Sequence, residues 1–209
     1  MSLKIAFLTA CMSLVMGMLA SLALVRLGRF RGKMSFAGMI TAPLVMPEVI
    51  TGLSLLLLFV AMGKSFGWPG GRGMLTIWIA HVTFSTAFVT VILSSRLKEI
   101  DRSLEEAGMD LGASPLKVFF VITIPIITPA LLAAWLLAFT LSLDDIVIAS
   151  FVSGPGSTTL PMKVFSSVRL GISPKINALA SIIIALVSLG VLTAGWIIRG
   201  WERKKILGI

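Results

Sequence analysis

The chain has 209 residues, 57% of them hydrophobic, with a mean hydropathy of +1.03 and only 13% charged. That apolar share lies above the range of soluble domains, and the charged share is about half the usual one. The net charge of +9 does not point to nucleic acid, because the basic residues sit in short loops between apolar runs and no basic-aromatic patch accompanies them. These features predict an all-α polytopic membrane helix bundle, a single domain over 1–209 with no cofactor, metal cluster or disulfide framework. Cys11, the one cysteine, lies in an apolar run and reads as a small packing residue.

Five runs reach the roughly 20 residues needed to cross a bilayer: about 5–25, 36–62, 74–94, 125–151 and 177–198. The first ends at a loop with Arg26, Arg29, Arg31 and Lys33. The second contains Pro43, Pro47 and, midway along, Glu48. The two prolines remove backbone donors, which a span tolerates where neighbours or water satisfy the freed carbonyls. Glu48 either faces the bundle interior or a water path, as intramembrane charges do, or makes a packing hydrogen bond in its protonated state. Lys64 and Arg72 follow in the second loop, whose Gly67–Gly71 stretch reads as a turn. The third span holds the single His81, for which a helix–helix hydrogen bond is the expectation.

The loop at 96–124 differs from the others because it is internally patterned. Ser103 is the expected N-cap of a short helix, with Glu106 completing a capping box. Leu104, Ala107, Gly108 and Leu111 share one helical face, while Glu105, Met109 and Asp110 lie off it. Ala107 and Gly108 leave room on that face for a partner. Gly112 is a natural C′ residue, and Ser114-Pro115 starts a second helix that carries Val118 to Ile122 and closes at Pro125.

The fourth span carries Asp144 and Asp145 near its outer end. Neighbouring helical residues diverge, so at most one of the two points into a pathway while the other pairs or caps. The alternative for the pair is a solvated helix end. An acidic lining would favour a cationic solute. Lys163, Arg169 and Lys175 follow before the fifth span, with no carboxylate between Ser153 and Asn177, and the tail carries Arg199, Arg203, Lys204 and Lys205. Loops one, three and the tail hold four basic residues each, so the positive-inside rule places them in the cytoplasm and the N-terminus outside. Trp68 and Trp78 near one boundary and Trp196 and Trp201 near the other suit an aromatic belt, whereas mid-span Trp135 suits ordinary packing.

No phosphate-binding loop of the form G-x-x-x-x-G-K-[ST] occurs, and no Ser/His/Asp set or metal-ligand cluster is visible. A working protein of this kind draws its energy from another subunit. Glu106-Ala107-Gly108, three residues, Gly112, nine residues and Ile122-Thr123-Ile124-Pro125 resemble the cytoplasmic EAA loop of ABC-importer permeases, type I. The departures are Gly108 for the third Ala and Ile124 for Leu. The stretches 46–60 and 139–180 together with this loop resemble the polyamine (spermidine/putrescine) importer permeases, most closely the putrescine-type subunit. The resemblance implies a bacterial inner-membrane permease, not itself an enzyme, that pairs with a second permease, cytoplasmic ATP-binding subunits and a periplasmic polyamine-binding protein. It assigns ATPase coupling to Leu104, Glu105, Glu106, Ala107, Gly108, Leu111, Gly112, Ile122 and Pro125. It also implies six spans, so the chain reads as lacking the first, with a truncated or mis-started reading frame favoured over a cleaved signal. Other readings are an ABC permease for iron, thiamine or an opine, an ion-gradient-driven secondary transporter, and a non-transporting scaffold or fragment.

Overall fold

The computed structural model describes residues 1–169 and isolated positions from 177 to 189. Every regular element among the described residues is helical: α1 Ser2–Val25, α2 Lys33–Val45, α3 Glu48–Phe66, α4 Met74–Glu99, α5 Arg102–Asp110, α6 Pro115–Val118, α7 Ile124–Asp144, α8 Val147–Val152 and α9 Leu160–Arg169. Four stretches are long and apolar enough to cross a membrane: Ser2–Val25, Glu48–Phe66, Met74–Glu99 and Pro115–Asp144. In hydrocarbon a helix is the form in which each segment satisfies its own backbone, so a continuous apolar run folds this way whatever its intrinsic propensity. The expected span at 177–198 with its Trp196, and Trp201 in the tail beyond it, fall outside the continuously described residues.

Within the unit Met1–Met162, α1, α4 and α7 form the centre. Their contact is built from small residues, Ala10, Ala134 and Ala138, around Val89, Leu93 and Ile127, all buried. Lipid supplies little hydrophobic drive between helices, so close backbone approach and dispersion hold them together. Gly17 marks the tightest point: a Cβ there would lie 2.5 Å from Val89 Cγ1 and 3.2 Å from the backbone nitrogen of Thr90. Gly17→Leu is therefore expected to destabilise the bundle by about 1–3 kcal/mol, as overpacking does. The midpoint of thermal unfolding in detergent reports it, and an unchanged midpoint would contradict the α1–α4 contact. Trp135 packs between Phe7 and Phe139 and donates its indole N–H to Cys11 Sγ at 3.4 Å.

A second cluster, Ile5, Phe59, Ile77, Phe84, Ile148 and Val152, fills the opposite end. There α8 lies on α3 at Gly52, where a Cβ would meet Phe151 Cδ2 at 2.7 Å. Thr76 Oγ1 donates to the Val152 carbonyl at 2.7 Å, tying α4 to the end of α8. The last turns of α9, from Lys163, belong to a separate unit, in which the Arg169 guanidinium lies 5.1 Å over the Phe165 ring.

Two of the expected spans are interrupted. The run at 36–62 breaks at Met46–Pro47, both in extended conformation (ψ 136° in each). The ring of Pro47 drives the residue before it out of the α region, so one helix stops and another starts. Glu48 consequently opens α3, exposed in its first turn, instead of lying midway along a continuous span. A carboxylate there complements the positive end of the helix dipole. The run at 125–151 breaks at Asp145 (ψ 127°), where α7 ends and α8 follows.

Candidate functional site

The patterned loop folds as a hairpin of α5 and α6 at the end of the bundle where α1 stops and α4 ends. Asp101, not Ser103, is the N-cap of α5, and its carboxylate accepts the Ser103 N–H at 3.0 Å. That hydrogen bond holds the Asp101 carboxyl below the usual carboxylate range. The capping box with Glu106 is therefore not formed at Ser103. The helix starts earlier because an ionised acceptor outcompetes a hydroxyl for the free donors of the first turn. Gly112 ends α5 with φ +83°, its N–H donating to the Met109 carbonyl at 2.8 Å and the Ala113 N–H to the Gly108 carbonyl at 3.2 Å. This is a Schellman closure, which needs the left-handed residue that glycine supplies. Ser114 caps α6 through the Lys117 N–H, with Pro115 at the first position.

Pro125 does not close this second helix. A π-helical turn, Phe119–Thr123, joins α6 to α7, and the Ile124 N–H donates to the Phe119 carbonyl. The wider register accommodates a proline whose missing donor would otherwise interrupt the ladder. α6, the π-turn and α7 run on as one helix.

The inner face of α5 is not the expected stripe. Gly108 is buried, and a Cβ on it would lie 2.7 Å from Ile122 Cδ1 and 3.2 Å from Val118 Cγ2. Its missing side chain makes room for the hairpin's own second arm rather than for a partner. Glu105 also turns inward: Arg26 Nη2 donates to its Oε1 at 2.9 Å, and Thr123 Oγ1 donates to the same oxygen at 2.9 Å. Arg102 Nη2 donates to the Val25 carbonyl at 3.0 Å, capping the C-terminal end of α1. Leu104, Glu106, Ala107 and Leu111 face outward, with Leu111 90% exposed. An exposed apolar stripe flanked by a carboxylate thus sits on a helix fixed from behind at three points: the end of α1, Val118 of α6, and the π-turn through Ile122 and Thr123.

The acids of the fourth span divide. Asp145 accepts the N–H groups of Ile148 (3.2 Å) and Ala149 (2.7 Å), capping α8, and its Oδ2 lies 3.1 Å from His81 Nε2. His81 Nδ1 lies 2.7 Å from Ser142 Oγ. A carboxylate only accepts, so Nε2 is the donor in the contact with Asp145. These three residues, 64 and 61 positions apart along the chain from His81, form a buried polar clamp that spacing does not reveal. The clamp is a Ser/His/Asp set in composition only, since Ser142 is buried and the Asp145 oxygens are committed to the α8 backbone. Asp144 is exposed and ends α7. Glu48, in the first turn of α3, makes no ion pair with a described residue.

A bundle of apolar helices around a three-helix centre, with an ordered amphipathic hairpin at its basic end, defines a membrane permease subunit. The family described as binding-protein-dependent transport system inner membrane component matches residues 13–206, and the chain belongs to that family. It is 63% identical over 209 residues to the putrescine transport system permease protein PotI of Escherichia coli strain K12, covering all of this chain and 74% of that protein. It is 42% identical over 185 residues to the spermidine/putrescine transport system permease protein PotC of Haemophilus influenzae, covering 88% of this chain and 69% of the relative. Among solved structures, an amino acid ABC transporter crystallised with histidines shares the fold: TM-score 0.61, 20% identity, 98% of this chain and 90% of that one. The protein is thus a multi-pass component of the bacterial inner membrane.

Proposed function

We propose that this chain is the membrane permease subunit of an ATP-driven polyamine importer of the putrescine type. The observation that carries this reading is the 63% identity to PotI over all 209 residues of the chain. In this reading the chain pairs with a second permease, two cytoplasmic ATPase subunits hydrolyse ATP, and a periplasmic binding protein delivers the cargo. Lys163 and Arg169 on α9 supply basic groups for acidic groups of that binding protein. The basic end of the bundle, with the α5–α6 hairpin, faces the cytoplasm.

Coupling follows from the hairpin's attachments. An ATPase groove takes the outward stripe of Leu104, Ala107 and Leu111, with Glu106 at its edge. When the ATPase pair closes, α5 moves as a body because it is short, capped at both ends and docked through Gly108. Its attachments carry that motion to two of the three central helices. Glu105 with Arg26, and Arg102 with the Val25 carbonyl, pull on α1. Thr123 and Ile122 pull on the π-turn that continues into α7. At about 1.5 Å per residue, the 21 residues of α7 carry the displacement across the hydrocarbon core to Asp144. The spans then rock as rigid bodies and the path opens alternately to each side. Asp144 offers the cationic cargo a carboxylate at the far end of this lever.

Glu106→Lys tests the coupling surface. The side chain is exposed, so the bundle should insert and fold normally. Co-purification of the ATPase with the variant complex should drop severalfold, with uptake falling in step. Normal ATPase association and normal uptake would remove Glu106 from that interface.

A further inference from the structure

A cavity of about 400 Å³ opens beside the ends of α1 and α4 and the start of α2, lined by Leu24, Lys33, Met34, Ala37, Ser94 and Lys98. We propose that it binds the phosphate headgroup of an anionic phospholipid from the cytoplasmic leaflet. The site goes beyond the transport reading and uses it only for the orientation of the bundle.

Three observations converge. The lining carries two ammonium groups and no carboxylate. Glu99, the acid adjacent in sequence to Lys98, is held by Arg96 at 2.7 Å. The Ser94 hydroxyl, which lines the same cavity, is buried and has no hydrogen-bond partner among the described residues. A serine in a helix ordinarily donates to the carbonyl one turn back, as Thr86 and Thr90 do in α4 at 2.7 Å each, so an unpaired buried hydroxyl here is in want of an acceptor. The remaining lining is apolar, and Met34 is 90% exposed at the rim.

The pattern of two cations, one donor and an apolar wall matches a phosphodiester attached to acyl chains. The phosphate lies between Lys33 Nζ and Lys98 Nζ and accepts from Ser94, and a chain runs along Met34, Ala37 and Leu24. Lys33 Nζ also donates to the Gly28 carbonyl at 2.8 Å, which holds it at the rim with other donor positions free. Basic pockets between helices at the cytoplasmic face are suited to anionic headgroups. A polyamine would be repelled by the same two lysines, so the cavity is separate from the cargo route. Free inorganic phosphate would gain from the lysines and Ser94 but nothing from the apolar wall.

The test is native mass spectrometry of the intact, purified complex containing this chain, equilibrated with mixed phosphatidylglycerol and phosphatidylcholine. The wild type should retain phosphatidylglycerol selectively. Lys33→Ala and Lys98→Ala should each reduce that retention about fivefold, the effect of one basic residue at an anionic membrane surface. Lys98→Arg should restore it, and Ser94→Ala should weaken it without changing assembly. Equal retention of the two lipids would overturn the proposal, as would wild-type retention by Lys98→Ala, whose exposed side chain makes misfolding an unsuitable explanation. Complete displacement of the lipid by inorganic phosphate, with the same lysine dependence, would assign the site to the free anion and overturn the lipid. The readout is lipid retention, so its failure leaves the transport role untouched, and failure of transport leaves this result standing.

Discussion

Gly108→Leu should abolish ATP-driven uptake while leaving the α1–α4–α7 centre folded. The position has no space for a branched side chain, because Ile122 Cδ1 and Val118 Cγ2 would stand 2.7 and 3.2 Å from its first carbon. Forcing one in costs about 1–3 kcal/mol, and each 1.4 kcal/mol lowers the docked fraction about tenfold. Displaced from α6, α5 also loses the geometry in which Glu105 receives Arg26 and Thr123. Gly108→Ala is the informative control. The obstructing atom for its single methyl is the flexible tip of Ile122, which can turn aside, so Ala should retain most of the uptake. Uptake is measured at matched membrane content, with folding followed by the unfolding midpoint. Wild-type uptake by the Leu variant would show that the docking of α5 on α6 does not transmit force.

Asp144→Asn and Asp145→Asn should separate into two phenotypes despite their adjacency. Asp144 is exposed at the end of α7 and makes no ion pair among the described residues. Its neutralisation should lower polyamine uptake roughly tenfold, equivalent to about 1.4 kcal/mol of lost attraction for the cation, with complex yield unchanged. Asp145 is the capping group of α8 and the partner of His81. Its amide analogue cannot accept from two backbone N–H groups and His81 together, which leaves a buried donor unpaired at about 1–3 kcal/mol. That variant should lower the unfolding midpoint and the yield, and its loss of uptake should follow the loss of protein. Unchanged uptake by Asp144→Asn across substrate concentrations would exclude that carboxylate from the route. Full stability of Asp145→Asn would exclude the clamp.

The contrast between these two acids shows which features were legible in the sequence and which were not. Gly112, Ser114 and Pro115 act through their own backbone, so a single chain reveals them. The break at Pro47 was available in the same way, through its effect on Met46. Residues whose orientation depends on distant partners were not legible. Glu105 lies off the apolar stripe of α5, yet Arg26 draws it inward from 79 positions away. The expected stripe is thereby split, with Gly108 inside and Leu104, Ala107 and Leu111 outside. His81 carried no sign of Asp145, 64 positions on. The π-turn is a compromise in register between α6, Pro125 and the packing of α7, and no local signal marks it. The separation of Asp144 from Asp145 was half visible: helical geometry says the two diverge, but only the start of α8 says which one caps.

Uptake of radiolabelled putrescine by cells devoid of their own polyamine importers, expressing this chain with its partner subunits, tests the central claim most directly. Saturable uptake that disappears when the partner ATPase is made unable to hydrolyse ATP is the predicted result. Uptake that persists with the inactive ATPase, or no uptake from a fully assembled complex, would contradict it.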